Sequence, residues 1–293
     1  MKTLMFYSYK GGAGRTVAAA NVAAALAKLG QRVAIVDLDF EAPGLQHVFR
    51  AEDTRQYKEG TGIQHYLRED VDSSELIEEV GIDLFGAGGP LHRFDVPSES
   101  LLLYLMASTK VATVDAQKPK ITELLRSLLT DLVSMHNLDY ILIDAASGIR
   151  DAYSIAADVS DEMLMFFRWS TQHVEGTLRM ARYVARMKEY KQSWSPFKLV
   201  ASASPSQREL EGLTDNALRE TLSRIKRSTE TRIEETLRKY KVEPATIFHE
   251  IPELLELKWR ETIVVFASDD TPYEVLARKL LPPEHARHIP LGV

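Results

Sequence analysis

A glycine-rich segment from Lys10 to Thr16 is the part of the sequence best suited to chemistry. It reads KGGAGRT, directly after an apolar run and directly before an alanine-rich stretch. Glycines adopt backbone angles closed to other residues, so consecutive N–H groups can turn inward around an anion, and a following helix points its positive end at the same place. The pattern predicts a phosphate-binding loop rather than a glycine turn that only joins strand to helix. The predicted phosphate-binding residues are Lys10, Gly11, Gly12, Ala13, Gly14, Arg15, Thr16 and Val17.

Two positions of this segment depart from the usual phosphate loop. The usual loop begins with glycine and has lysine immediately before its Ser/Thr, whereas this chain has Tyr9 and Arg15 at those positions. Arginine keeps the positive charge but is a planar fork on a different stem, so the exchange is not conservative at a phosphate clamp. Nucleotide binding is therefore expected to survive better than fast hydrolysis. The hydroxyl of Thr16 remains available to Mg²⁺.

A second candidate element follows the next apolar run, in the sequence DLDFEAPG from Asp37 to Gly44. In a parallel sheet neighbouring strands end at the same edge, so Asp39 is predicted to lie beside the loop, where an acid can orient a water or hold a metal shell. Two carboxylates so close repel each other unless a cation is present. An Asp pair that caps a turn is the alternative interpretation.

A third apolar run ends in Asp144, within DYILIDAASG. One acid at the end of a hydrophobic strand is the second metal-shell element of phosphate-loop enzymes. A solvent-facing strand terminus would explain such an Asp equally well on its own, but its position after the two other elements favours a functional role. Thr16, Asp39 and Asp144 are thus the candidate metal ligands.

Short apolar runs alternate with helical patterns along the chain, which predicts an α/β fold with a doubly wound, mainly parallel sheet and helices on both faces. We expect one domain over residues 1–293, with insertions at about 87–119 and 207–241. The first insertion is predicted to contain a short apolar helix around Leu101 to Met106. Predicted strands are 3–9, 32–38, 82–86, 139–143, 162–167, 197–201 and 246–251, and predicted helices are 16–29, 120–136, 172–190, 207–241 and 272–281.

Composition narrows the function classes. The 293 residues include no cysteine, which excludes disulfides, thiolate nucleophiles, cysteine zinc sites and cysteine-ligated iron–sulfur clusters. The net charge of −6 argues against a general polyanion binder. No stretch approaches a membrane span and the apolar start is too short for a signal peptide, so a cytoplasmic protein without membrane attachment is expected.

Two clusters of basic residues are candidate nucleic-acid surfaces, but a solvated helix face is the favoured interpretation of both. The first is Arg179, Arg182 and Arg186; the second is Arg224, Lys226, Arg227, Arg232 and Lys239. The second cluster lies on a long helical pattern with one apolar stripe, predicted to rest on the sheet. His285 and His288 make a poor metal pair beside Pro290.

Taken together, these motifs resemble the ParA/MinD family of P-loop ATPases, whose deviant Walker A motif is KGG-x-GK-[ST]; KGGAGRT is the arginine-bearing variant. GQRVAIVDLDFEAPGL, GIDLFGAGG, DYILIDAASG and IPELLEL follow in the family's order, over roughly two-thirds of the chain. No NKxD or TKxD stretch suited to guanine occurs, so ATP with Mg²⁺ is the expected ligand.

The resemblance implies an ATP-bridged homodimer in which Lys10 reaches the partner's phosphates. Asp39 matches the residue that orients the attacking water, and Asp144 matches the Walker B acid. Segments near 201–205 and around Pro252 and Glu253 correspond to base-contacting segments; the family often has Asn in the first, where this chain reads ASASP. Lys10, Arg15 and Asp39 are therefore the candidate catalytic residues.

Two functions follow as hypotheses. The first is a slow ATPase that works as a nucleotide-controlled dimerisation switch and positions or activates an unidentified protein partner. The alternative is a hydrolysis-poor P-loop protein that uses bound nucleotide as a structural or sensing element in a larger complex, and Arg15 is its main support. Measurable ATP turnover separates the two.

Overall fold

The computed structural model describes residues 1–54, 57, 62–68, 77, 81–86, 88–107, 118–149, 151–190, 197–204, 216–241, 247–254, 257 and 261–282. Among these residues, the strands form one sheet in the order β3-β4-β2-β5-β1-β6-β7-β8. The strands are β1 (Lys2–Ser8), β2 (Arg32–Leu38), β3 (Gly81–Asp83), β4 (Leu101–Leu105), β5 (Tyr140–Ala145), β6 (Glu162–Phe167), β7 (Phe197–Ser204) and β8 (Ile247–Pro252). All neighbours pair in parallel except β3 and β4.

Helices connect these strands. They are α1 (Arg15–Lys28), α2 (Leu45–Phe49), α3 (Ile63–Arg68), α4 (Lys118–His136), α5 (Asp151–Asp158), α6 (Thr171–Tyr190), α7 (Asn216–Lys239) and α8 (Pro272–Leu280). The crossover from β1 to β2 runs in one direction across the sheet, and that from β5 to β6 runs in the other. Because such crossovers are right-handed, α1 and α5 lie on opposite faces. No helix in these described segments is long and apolar enough to cross a bilayer.

The centre of the molecule is built from β1, β5 and α1. β1 and β5 are buried along nearly their whole length, as expected for central strands of a sheet covered on both faces. α1 is buried at Arg15 and from Val17 to Ala27, and its many alanines let it lie close between the sheet and α8. Asn21 fastens this layer, since its side chain donates to the carbonyl of Thr262 at 3.0 Å and accepts from the N–H of Val264 at 2.7 Å.

The sequence predicted the α/β class and the mainly parallel sheet correctly. The predicted helix around Leu101 to Met106 is wrong, because Leu101–Leu105 forms β4 and pairs with β2 from Arg32 to Val36. A short apolar run carries no period that distinguishes the two. α2, α3 and α5 were not predicted. The predicted helix 207–241 is seen as α7 from Asn216, and residues 205–215 lie outside the described residues.

Candidate functional site

The loop between β1 and α1 lies at the carboxyl end of β1. The connection from β1 to β2 runs toward one edge of the sheet, and the connection from β5 to β6 runs toward the other edge. Open α/β sheets bind ligands at this topological switch point. Gly12 and Gly14 have φ of 77° and 71°, and an added Cβ at either would meet nothing within 4 Å. Backbone conformation, and not lack of space, therefore requires glycine at both positions. Gly14 also caps the amino end of α1.

Arg15, at the first position of α1, does not extend along the loop. Its Nε donates to Asp144 Oδ1 at 2.5 Å, and its Nη2 donates to Asp39 Oδ2 at 2.9 Å. The same Nη2 lies 3.2 Å from Thr16 Oγ1. Only 9% of the arginine side chain is exposed, so one buried guanidinium joins the ends of α1, β2 and β5. Burial lowers the pKa of Arg15, but the charges of Asp144 and Asp39 outweigh it and raise the pKa above its usual value.

Asp144 ends β5 with a fully buried side chain. Burial raises its pKa, and the nearby Arg15 charge and Thr16 hydroxyl only partly offset that effect. Despite the proximity of Thr16, Asp144 Oδ2 has no hydrogen bond of normal geometry among the described residues. A buried carboxylate oxygen without a donor is an open coordination position.

The oxygen atoms of Thr16, Asp39 and Asp144 fit a hard divalent cation such as Mg²⁺. In the described part of the chain, however, no group of three or more His, Cys, Asp or Glu residues could hold a metal ion unaided. Such a cation would need phosphate and water oxygens as further ligands, which is how Mg²⁺ is usually bound. It would also have to share the two carboxylates with Arg15.

Asp37 shapes the turn that carries Asp39. Its Oδ1 accepts from the N–H of Asp39 at 3.0 Å and its Oδ2 from the N–H of Leu45 at 3.3 Å. Burial, followed by the charge of Asp144, raises the pKa of Asp37 well above its usual value. At the end of this turn, an added Cβ at Gly44 would lie 3.0 Å from Thr16 Cγ2, so the turn closes directly over the loop threonine.

We call Arg15, Asp37, Asp39 and Asp144 the charge cluster. The sequence predicted Asp39 and Asp144 at this edge of the sheet and a cation near the pair Asp37 and Asp39. In the structure the side chain that contacts Asp39 and Asp144 is Arg15, which the sequence had indicated as a phosphate clamp. Asp37 was predicted either to repel Asp39 or to cap a turn together with it. Its two backbone partners match the turn-capping alternative.

Lys10 and Tyr9 lie on the other side of the loop. Lys10 is exposed and its Nζ hydrogen-bonds to Gln172 Oε1 at the start of α6, away from the charge cluster. The Tyr9 ring packs on Gly176 of α6, where an added Cβ would collide with it, and its hydroxyl accepts from Arg179 at 3.3 Å. Tyr9 thus holds the entrance of the loop against α6, which explains the bulky residue at a position usually occupied by glycine.

A cavity of about 180 Å³, here called the side cleft, opens beside the loop between the ends of β7 and β8. Pro252 and Glu253, predicted as base-contacting residues, line it. So do Ser202 and Ala203, within the segment 201–205 predicted for the same role. Its walls are Gly12, Ala13, Gly14, Val17, Arg168, Ser202, Ala203, Ile251, Pro252, Glu253, Leu254, Leu257, Glu261 and Tyr273.

Ser202 fastens the side cleft to the loop. Its buried hydroxyl hydrogen-bonds to the carbonyl of Ala13 and lies 3.3 Å from the carbonyl of Phe167. Next to it, Ala203 has φ of 48° at an irregularity in the pairing of β7 with β8. Ser202 was predicted only as part of the base-contacting segment 201–205, so its contact with the loop was missed, and Arg168 belongs to no motif. The only available signal was their position at strand ends.

Several residues of the two basic clusters are paired. Lys226 Nζ lies 2.7 Å from Glu250 Oε2, Arg232 pairs with Glu175, and Arg182 stacks over the ring of Tyr240 at 5.7 Å. The two ion pairs offset positive charge in the second cluster, whereas the ring contact of Arg182 leaves the charge of the first cluster unchanged. His285 and His288 lie outside the described residues.

Sequence comparison identifies related proteins. A family model described as the CobQ/CobB/MinD/ParA nucleotide binding domain matches residues 4–259. The septum site-determining protein MinD of Bacillus subtilis is 26% identical over 166 residues, which are 56% of this chain and 52% of that protein. The chain spans about half the length of the curated relatives it matches.

Solved structures resemble the whole fold. The complex of Cyanothece McdA with ATP aligns with a TM-score of 0.67 at 14% identity, covering 96% of this chain and 98% of that one. MinD complexed with Mg-ADP from Pyrococcus horikoshii OT3 aligns with a TM-score of 0.61 at 16% identity, covering 95% of each. At such identities the likeness establishes the fold alone.

Proposed function

Since the chain belongs to the CobQ/CobB/MinD/ParA family of nucleotide-binding domains, we propose that it is a slow Mg²⁺-dependent ATPase that acts as a nucleotide-controlled dimerisation switch on a protein partner. One observation carries the proposal. The glycine loop, Thr16, Asp39 and Asp144 come from three separate elements and converge around a single guanidinium at the switch point of the sheet. A loop serving only as a connector would not need these groups together.

In this proposal, the backbone N–H groups of residues 11–16 and the amino end of α1 bind the phosphates. Thr16 and Asp144 hold Mg²⁺, which supplies charge neutralisation at the phosphate groups when bound with ATP. Asp39 orients the attacking water, and the turn fixed by Asp37 keeps Asp39 beside Thr16. The side cleft receives the nucleoside, whose contacts come from Pro252, Glu253 and the Ser202 region.

Lys10 is proposed to act across the dimer. Its exposed side chain rests on Gln172 in the single chain, so that it does not occupy its own loop. Two facing subunits would bury their ATP phosphates between them, and such negative charge is tolerable only with cations from both sides. Lys10 of each subunit would supply one.

Nucleotide binding is tested by measuring the melting temperature of the protein with and without nucleotide. At about 100 times Kd, a ligand adds roughly 2.7 kcal/mol, which for a chain of this size raises the melting temperature by about 5 to 10 °C. We expect this shift with millimolar Mg-ATP. No shift with either Mg-ATP or Mg-GTP would contradict nucleotide binding altogether.

Dimerisation is tested by light scattering of the parent and Lys10→Ala with ADP, ATP and a non-hydrolysable ATP analogue. The parent is expected to double in mass with the analogue, and Lys10→Ala to stay monomeric while retaining nearly the parent's affinity. Lys120→Ala, which removes a lysine from α4, is the matched control. A parent whose mass ignores nucleotide, or a Lys10→Ala variant that still doubles, would contradict the switch.

The hydrolysis-poor alternative is supported by a specific contact. Because Arg15 holds Asp39 and Asp144 together, the groups proposed for water and metal binding are already engaged in ion pairs. If this pairing persists with ATP bound, nucleotide would be retained without turnover. Phosphate release under single-turnover conditions distinguishes the two, since the ATPase requires ADP to form within one dimer lifetime and the alternative leaves ATP intact.

A further inference from the structure

The long helix α7 carries an apolar stripe that changes environment halfway along. Ile233 and Leu237 are completely buried, whereas Leu218, Leu222 and Ile225 are 45%, 36% and 52% exposed. The spacing of four and three residues places the exposed three on one face over two turns. We call them the α7 stripe. Single exposed aliphatic residues are ordinary, but three adjacent ones on one helix face indicate a contact surface.

The charge around the α7 stripe is one-sided. Between Leu218 and Arg227 the helix has four basic residues, Arg219, Arg224, Lys226 and Arg227, against one acid, Glu220. Lys226 is paired with Glu250, while Arg224 and Arg227 are exposed. An apolar strip with an excess of positive charge complements a partner helix whose apolar face is bordered by Asp and Glu.

The position of α7 connects this surface to the side cleft. Lys226 contacts Glu250 of β8 and lies 5.4 Å from the ring centroid of Trp169. Pro252, two residues after Glu250, and Arg168, next to Trp169, both line the cleft. A partner seated on the α7 stripe would therefore rest on the elements that border the cleft.

From these contacts we infer that the α7 stripe is a docking site for an acidic amphipathic helix of a protein partner. Three aliphatic residues without an aromatic one offer little to a bilayer, where amphipathic helices insert a broad face with Trp, Phe and Leu. A narrow apolar strip suits the single face of a helix. The inference names the partner of the proposed switch, but the surface exists without nucleotide and is tested without it.

The probe is a fluorescein-labelled synthetic helix of about 18 residues with a leucine stripe bordered by glutamates, titrated by anisotropy with nucleotide-free protein. A peptide with lysines in place of the glutamates is its counterpart. We expect saturable binding of the acidic peptide, weakening at least roughly tenfold in Ile225→Ser and in Leu222→Ser/Ile225→Ser. Arg224→Glu should weaken it as well, and the basic peptide should bind less than the acidic one.

Met135→Ser is the matched control, because Met135 is 42% exposed on α4, and it should bind the acidic peptide as the parent does. Melting curves of all variants ensure that a loss of binding is not a loss of folding; these positions are exposed, so the curves should coincide. Equal binding of both peptides, or equal binding by Ile225→Ser and the parent, would overturn the inference.

The same variants would detect other ligands of the α7 stripe. Sedimentation with phosphatidylserine vesicles that depends on Ile225 would assign the stripe to a membrane surface. Retention of duplex DNA that depends on Arg224 would assign it to nucleic acid, and a nucleotide-independent mass increase that Ile225→Ser abolishes would assign it to a second copy of this chain. Each of these results overturns the acidic-helix assignment. Because nucleotide is absent throughout, failure here leaves the ATP melting and mass experiments unaffected.

Discussion

The two sides of the glycine loop are built differently. On one side lies the charge cluster, where the Arg15 guanidinium contacts Asp39 and Asp144 and the buried carboxyl group of Asp37 lies close to both acids. On the other side lies the side cleft, an opening of about 180 Å³ whose walls include the loop residues Gly12 to Gly14 and the ends of β7 and β8. One side is filled with charge and the other is open. On the first side, Asp39 and Asp144 are thus paired with Arg15 before any ligand arrives.

This difference suggests an order of events for the proposed ATP cycle. A nucleoside can enter the side cleft without moving any described ion pair, so initial affinity is expected to come from the cleft and the loop N–H groups. Full engagement of Mg²⁺ by Asp144 requires the Arg15 guanidinium to give up or share a carboxylate. Since two hydrogen bonds to charged groups hold it, that step is costly and would make the proposed turnover slow.

The largest effect is expected from breaking the charge cluster with Arg15→Ala. This change leaves buried Asp39 and Asp144 without their cation, and loss of one member of a buried ion pair costs about 3 to 5 kcal/mol. Urea unfolding of the nucleotide-free protein measures it. Arg186→Ala, at an exposed arginine of α6, is the control and should change stability little. A loss below about 1 kcal/mol for Arg15→Ala would mean that the cluster is not a structural element.

The second effect concerns turnover. Asp39→Ala is expected to lower ATP hydrolysis by roughly a hundredfold or more, because a positioned polar group at the reacting centre is lost. Binding of Mg-ATP should stay within a few fold of the parent, since the side cleft is unchanged. Steady-state phosphate release and calorimetric titration give the two quantities. Glu41→Ala, in the same turn, is the control; hydrolysis by Asp39→Ala at the parent's rate would remove Asp39 from the reaction.

The third effect concerns the contact between Ser202 of the side cleft and the glycine loop. Ser202→Ala removes the buried hydroxyl that joins β7 to the carbonyl of Ala13, and a net loss of about 1 kcal/mol in stability is expected. Because the lost contact positions the loop, Mg-ATP affinity should also fall. Ser204→Ala removes a bond of similar burial from Trp169 Nε1, 2.7 Å long, but does not touch the loop. It should lower stability alone, and equal affinity losses in both variants would show that the loop contact is unimportant.

The sequence was a better guide to the charge cluster than to the side cleft, and the reason is physical. Asp39 follows β2 and Asp144 lies near the end of β5, and both strands are apolar runs. Because parallel strands end at the same edge of a sheet, the meeting of the two acids there was predictable. The side cleft depends instead on the irregular pairing near Ser202 and Ala203, where β7 bulges against β8. No local pattern encodes a bulge whose cause is packing from several elements.

The path of the Arg15 side chain could not be predicted either. A motif fixes the position of the arginine on α1, but whether its guanidinium follows the loop or turns to the carboxylates depends on which buried charges need neutralising. The same limit applies to β4, where the five apolar residues Leu101–Leu105 suit a helix and a strand alike until β2 offers them a partner. In both cases long-range contacts decide what local preference leaves open.

The smallest effect is expected at the outer strand of the side cleft, through His249 of β8. Its Nε2 lies 2.8 Å from the carbonyl of Pro272 and must donate to it, and Lys279 Nζ lies 3.4 Å from Nδ1, which suits a neutral ring. Burial lowers the pKa of His249, and the charge of Lys279 lowers it further, against the opposing pull of the Pro272 carbonyl and of Glu250. The unfolded chain therefore binds a proton more readily than the folded one. The stability that the neutral ring contributes is present above the ordinary histidine pKa of about 6.5 and declines as the pH falls.

The melting temperature should fall more steeply between pH 7.5 and pH 5 in the parent than in His249→Gln, whose amide can still donate to Pro272. His47→Gln, at a mostly exposed histidine, is the control and should follow the parent. Parallel pH profiles for the parent and His249→Gln would mean that β8 is not held by a neutral histidine.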